Sequence, residues 1–166
     1  MNMTYYPPVD QLLTLGDTDP VPHDKWPDYL ALGIGPQHIP ELLRMANDES
    51  LNQIGKVEGP EDWASIHAVR ALGQLRDEST IEPLVELLTT QEAHEWIQEE
   101  LPEIFGMIGP AAIASLTAYL EDASRPMYGR SYAADGLVDI AKNYPESRDE
   151  SIGAMVRTLE KYSENQ

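Results

Sequence analysis

His94, Glu95, Glu99 and Glu103 are the residues of this chain whose types and spacing come nearest to a chemistry. Residues four apart share one face of a helix, so carboxylates at this spacing beside an imidazole can converge on a cation. The pattern lacks the second histidine of a zinc-hydrolase helix, and no other His lies nearby in sequence. An acidic, solvated helix accounts for it without a ligand. His67, between Ile66 and Ala68, is expected to be a hydrogen-bonded packing residue rather than a base. No nucleophile motif, glycine-rich phosphate loop or paired-carboxylate signature is present. Among 29 acids any two can be posed as an acid–base pair, so such pairing carries no weight. The sequence thus points to no catalytic residue, no cofactor and no metal.

The elements that must position these side chains are organised around Trp63–Thr90, WASIHAVRALGQLRDESTIEPLVELLTT. Its first half places Trp63, Ile66, Val69, Leu72 and Leu75 at three- and four-residue steps, which predicts one apolar helical stripe. The small residues Ala64, Ala68, Ala71 and Gly73 allow a second helix to approach closely. Arg76–Ser79 interrupts the pattern. Ser79 is the expected N-cap, with Glu82 completing a capping box. The second half turns Ile81, Leu84, Val85 and Leu88 inward, with Pro83 near the first turn, where a missing N–H costs little.

Degenerate copies flank this unit. Second helices align as octets, IPELLRMA from Ile39, IEPLVELL from Ile81, IASLTAYL from Ile113 and IGAMVRTL from Ile152. Positions 1, 4 and 5 are apolar throughout except at Thr117. First helices align at Ala31–Gly33, Ala71–Gly73, Ile104–Gly106 and Gly136–Val138, and Trp63, Trp96 and Tyr128 open three of them. Successive octets start 42, 32 and 39 residues apart, a helical-repeat period with loop insertions. Pro102, inside an acidic first helix, is expected to kink it. Before the repeats, Val9, Leu12, Leu13 and Leu15 predict a short capping helix, and Tyr5 and Tyr6 are expected to pack on the end of the stack. Residues 48–59 read as a linker, and the truncated first helix of the first pair falls in 26–35. The expected organisation is a single domain over 1–166. An N-terminal cap and loop (1–25) precedes helix pairs at 26–47, 61–90, 91–122 and 127–163. The fold class is all-α, a right-handed α-solenoid of about four antiparallel helix pairs.

HAVRALGQLRDESTIEPLVELL resembles the HEAT-like repeat first described in phycobilisome lyase proteins. Ala71, Leu72, Gly73, Leu75, Asp77, Ile81, Leu84, Leu87 and Leu88 carry the likeness. The later copies depart from it, with Gly109-Pro110 in place of an acidic turn and a longer linker at Asn143–Ser147. The resemblance spans roughly Trp26–Tyr162 and specifies architecture more than activity. The chain is also similar to the N-terminal portion of cyanobacterial proteins of this class, which run on into further helices. By resemblance, Arg70 and Asp77 match the Arg and Asp of inter-repeat ladders. They are assigned to inter-repeat structure, together with Trp63, Trp96 and Tyr128. Some relatives handle bilins. That role would need Arg44, Arg130 and Arg157 to meet bilin propionates, and no Cys on this chain, because the bilin is attached to the acceptor subunit.

Composition narrows the partner. A net charge of −18, from 29 acids and 11 bases, opposes approach to nucleic-acid phosphates and to anionic membranes. A protein partner, basic or a phycobiliprotein, suits it better. There is no Cys, so disulfides and thiolate metal sites are excluded. No run has the length of a membrane span, and MNMTYYPPVD has neither a basic segment nor an apolar core, so the expected location is cytoplasmic. The remaining lead is the row of outward octet positions on the second helices, which line the inner curve of such stacks. Arg44, Glu82, Glu86, Tyr119 and Arg157 are the candidate partner-binding residues. The function expected is a non-catalytic scaffold or adaptor. The alternatives are a bilin-handling protein and a structural repeat domain of a longer protein.

Overall fold

The computed structural model describes residues 4–17, 21–51, 59–90 and 95–164; the sequence reading of His94 and of the linker around 52–58 falls outside them. The described residues hold seven α-helices, several preceded by a 3-10 turn, and no strand. They are α1 (Ile39–Ala46), α2 (Ala64–Leu75), α3 (Ile81–Thr90), α4 (Glu95–Ile108), α5 (Ile113–Glu121), α6 (Met127–Asn143) and α7 (Arg148–Glu164). The chain divides into two compact units, Met1–Leu75 and Arg76–Gln166, so the helix pair expected over 61–90 is shared between them.

In the first unit α2 is the core. Every residue from Ala64 to Gly73 is buried, including Ser65, His67 and Arg70. The single apolar stripe expected of it is therefore corrected to a helix enclosed on all sides. The small side chains Ala64, Ala68 and Ala71 make this possible. Neighbours come close with α1 on one side and the 3-10 segments Val9–Thr14 and Leu30–Leu32 on others. Val9 and Leu12 of the first segment are buried, as is Tyr5, and Tyr6 is exposed. The truncated first helix expected over 26–35 is only the 3-10 turn Leu30–Leu32, closed by Gly33 in the left-handed region at φ +92°. Gly33 turns the chain out of the helix, and Pro36 disfavours helical backbone at Gly35, so the turn does not propagate.

The second unit opens on Arg76, a non-glycine residue at φ +51°. Asp77 then caps the 3-10 turn Glu78–Thr80, its carboxylate accepting from the Ser79 N–H. This corrects the expected Ser79 cap. The helix start is one 3-10 turn longer than the capping-box pattern assumed, so the capping side chain falls two residues earlier. First helices α4 and α6 pack against each other, and second helices α3, α5 and α7 follow one another side by side. Ile97, Leu101, Ile104, Phe105, Leu137 and Ile140 fill the space between, with Ile81, Leu84, Leu88, Ile113 and Leu116 from the second helices. Burying these apolar side chains is the main stabilising contribution, at about 1.5–3 kcal/mol for each large one. Pro102 lies within α4 and is buried.

The octet starts Ile39, Ile81 and Ile113 coincide with the first residues of α1, α3 and α5. The fourth does not. α7 begins at Arg148, so its buried residues are Ser151 and Ala154, while Ile152 and Val156, expected inward, are 36% and 45% exposed. Each of Pro36, Pro110 and Pro145 opens a 3-10 turn whose helix begins three residues later. That proline rule, rather than the isoleucine, marks the start of the fourth helix.

Candidate functional site

The candidate partner-binding residues fall into two groups. Arg44 belongs to the first unit, where α1 presents it to the N-terminal segment. Its guanidinium lies 4.7 Å over the Tyr5 ring and donates to the Thr4 carbonyl at 2.9 Å and to Glu41 at 3.2 Å. The Tyr5 hydroxyl donates to Asp48 at 2.7 Å, and the other Asp48 oxygen accepts from the Ser50 N–H and hydroxyl. Burial and this bond to a carboxylate raise the Tyr5 pKa well above its ordinary value. Burial alone would raise Asp48, but the hydrogen bonds from Ser50 and Tyr5 outweigh it and hold the carboxyl below the usual range. Arg44 thus helps to fasten the N-terminal segment to α1.

Glu82, Glu86, Tyr119 and Arg157 belong to the second unit, where they lie along the seams between second helices. Glu82 of α3 is exposed and accepts from the Ser115 hydroxyl of α5. Glu86 of α3 pairs at 3.4 Å with Arg125, just beyond α5, and the same Arg125 nitrogen donates to Thr89 at 3.1 Å. Arg157 and Lys161 of α7 both reach Glu121 at the end of α5, at 3.5 and 2.8 Å. The Lys161 hydrogen bond is the main cause holding Glu121 below the usual carboxylate range, with Arg157 adding to it.

Tyr119 requires correction. It is buried, its hydroxyl within 2.8 Å of Thr89 Oγ1 and its ring 4.9 Å beneath the Arg125 guanidinium. Met45 and Leu87, which share its octet position, are buried as well, so this position packs between helices. Sequence reasoning missed Ser115, Glu121, Arg125 and Lys161. A signal was present in Arg157 and Lys161, two cations four apart on one helical face.

The five residues assigned to inter-repeat structure also separate. Arg70 is buried with its guanidinium 4.8 Å over the Trp26 ring, and Asp77 is the cap already described. Trp63 is half-buried at the end of the 3-10 turn Pro60–Trp63. Trp96 and Tyr128 are 45% and 63% exposed. The residues just after them close the helices onto α3. Gln98 donates to the Leu88 carbonyl at 3.0 Å, and Gly129 approaches the same carbonyl so closely that a Cβ would stand 2.6 Å from it.

His67 is the buried titratable group nearest to chemistry. Its Nε2 is 2.9 Å from the Gly16 carbonyl, which only accepts, so Nε2 carries the proton. Nδ1, 2.8 Å from the Tyr29 hydroxyl, therefore accepts from it. Burial lowers the His67 pKa, the bond to Gly16 partly opposes this, and nearby Arg70 adds to the lowering. Both nitrogens are engaged, and the imidazole clips the chain at Gly16 to α2. Among the described residues, no group of three His, Cys, Asp or Glu is placed to hold a metal ion, and no single helix is long and apolar enough to cross a membrane. Of the arginines considered for bilin propionates, Arg130 donates to the Leu120 carbonyl at 2.8 Å, and Arg44 and Arg157 are engaged as above.

Residues 66–90, from within α2 through the Asp77 turn to the end of α3, match the family model of the PBS lyase HEAT-like repeat. This stretch is one HEAT-like repeat of this class. The all-α architecture, with its alternating first and second helices, agrees with that repeat type. No significant match was found among curated proteins or solved structures.

Proposed function

We propose that this chain is a non-catalytic scaffold that holds a protein partner along the solvent-facing seams of α3, α5 and α7. One observation carries the reading. Glu82, Glu86, Arg125, Glu121, Arg157 and Lys161 are each held by a contact from one second helix to the next or to the segment just beyond it, yet all remain at least partly exposed. Side chains fixed in this way have already lost rotamer freedom, so a partner that meets them loses less entropy on docking. A surface of alternating sign suits a polar protein segment better than a polyanion. Arg44 is not part of this surface, being engaged with the N-terminal segment.

The test is quantitative affinity capture with the full chain beside a Glu82→Arg/Glu86→Arg variant and an Arg157→Glu variant. Thermal melts should confirm that both remain folded, because every altered side chain is solvent-facing. The scaffold reading expects a defined protein whose capture falls at least tenfold in the variants and recovers at low salt. Equal capture by all three folded chains would place the binding face elsewhere.

A further inference from the structure

Along the second helices of the second unit runs a flank that is covered on two of them and left open on the third. The fifth and ninth residues of α3 are Val85, buried, and Thr89, bonded to Tyr119 of α5. In α5 they are Thr117, half-buried, and Glu121, taken by Arg157 and Lys161 of α7. Each helix is thus covered on this flank by the next one. In α7 the fifth, ninth and twelfth residues are Ile152, Val156 and Leu159, exposed at 36, 45 and 69%. The flank where α3 and α5 receive a helix is, on α7, an aliphatic stripe facing solvent.

The seams already formed also say what should lie there. In both, the preceding helix supplies carboxylates and the following segment supplies donors. Glu82 accepts from Ser115, Glu86 from Arg125, and Glu121 from Arg157 and Lys161. Asp149, the second residue of α7, occupies the place that Glu82 holds in α3. Asp149 and Glu160 are exposed along one edge of the stripe, and Glu146 and Glu150 are exposed near its start; Arg148 stands among them. We infer that the α7 flank docks an amphipathic helix of a partner protein, with an aliphatic face against Ile152, Val156 and Leu159 and Lys or Arg along the edge facing Asp149 and Glu160. A second copy of this chain is the poorer occupant, because two chains of net charge −18 would be brought together. The inference stands apart from the scaffold reading above, which uses the outward residues of the earlier seams.

The probe is a synthetic, staple-constrained helical peptide with a Leu/Ala face flanked by Lys and Arg, labelled for fluorescence anisotropy. A matched peptide carries Glu at the same flanking positions. Both are titrated with the full chain at 150 mM NaCl. The inference expects the basic peptide to bind at least tenfold more tightly than the acidic one. Val156→Asn/Leu159→Asn should weaken it tenfold or more, and Asp149→Asn/Glu160→Gln several-fold. These positions are on the surface, and a melt beside the unaltered chain confirms folding. Binding that survives Val156→Asn/Leu159→Asn would overturn the inference as charge attraction alone, and equal binding of both peptides would overturn it as apolar adhesion. Binding of neither peptide would also overturn it. So would sedimentation showing a dimer that Val156→Asn/Leu159→Asn dissolves, since a second copy would then occupy the stripe.

Discussion

The proton on His67 has only one place to sit, because the Gly16 carbonyl beside Nε2 can only accept and the Tyr29 hydroxyl must then donate to Nδ1. Burial disfavours the charged imidazolium and is the main reason the folded pKa is depressed, with nearby Arg70 adding to it against the opposing bond to Gly16. The consequence for stability follows from proton linkage. With the folded value below the unfolded one near 6.5, the unfolded chain binds more protons between the two. The stabilisation is therefore complete above about pH 6.5 and is lost as pH falls from there through the folded value. His67→Gln preserves a donor and an acceptor but does not titrate. Between pH 7.5 and 5, urea unfolding should show the unaltered chain losing stability relative to the glutamine variant. Parallel profiles would mean that His67 does not titrate differently on folding. The packing role of His67 was legible from its apolar neighbours, Ile66 and Ala68. The partners were not, since Gly16 and Tyr29 lie 51 and 38 residues away.

At the level of elements, glycines show where helices meet and where they do not. Gly129, in the first turn of α6, would place a Cβ 2.6 Å from both the Leu88 carbonyl and the Tyr119 hydroxyl. The carbonyl is backbone and already accepts from Gln98, and the hydroxyl is bonded to Thr89, so neither yields cheaply. Gly129→Ala should cost about 1–3 kcal/mol through overpacking, more than the helix-propensity gain of roughly 1 kcal/mol. On α7 a Cβ at Gly153 would meet only the Arg157 guanidinium, at 3.3 Å, the movable end of an exposed side chain. Gly153→Ala should therefore stabilise by roughly 0.5–1 kcal/mol. Opposite shifts in chemical denaturation midpoint are the expected pair of results, and a stabilised Gly129→Ala would show that α6 stands further from α3. Periodicity placed the starts of α1, α3 and α5 because an isoleucine opens each. It misplaced α7 because Ile152 sits one turn inside a helix whose core positions are the inconspicuous Ser151 and Ala154. The Asp77 cap was missed for a similar reason, since a 3-10 turn before the helix leaves no periodic trace.

For the chain as a whole, charge is the property most legible in the sequence, and its effect on stability opposes that of the local pairs. Arg125 with Glu86, Lys161 with Glu121 and Lys142 with Asp139 are exposed or half-exposed contacts, whose net contribution is small and falls with added salt. Against them stand 18 uncompensated negative charges, which repel one another more in the compact state than in an expanded chain. At about 0.01 M ionic strength the screening length is roughly 30 Å, long enough for most of these charges to interact; at 0.15 M it is roughly 8 Å. The repulsion should therefore outweigh the pairs at low salt, and screening should remove more repulsion than attraction. Raising NaCl from 10 to 300 mM should increase the melting temperature, by about 2–4 °C for each kcal/mol of repulsion relieved in a chain of this size. A melting temperature that falls with salt would mean that the seam contacts, Glu121 with Lys161 foremost, outweigh the net charge. The division into two units was not legible in the same way, because the repeat pattern runs without a break through Leu75 and Arg76 while the compact groupings change there. Melting followed separately at Trp26 and Trp63 of the first unit and at Trp96 of the second, by single-tryptophan variants, would show whether salt acts on both. The second unit holds 18 acids and 7 bases and the first 11 and 4, so the larger salt-induced rise is expected at Trp96.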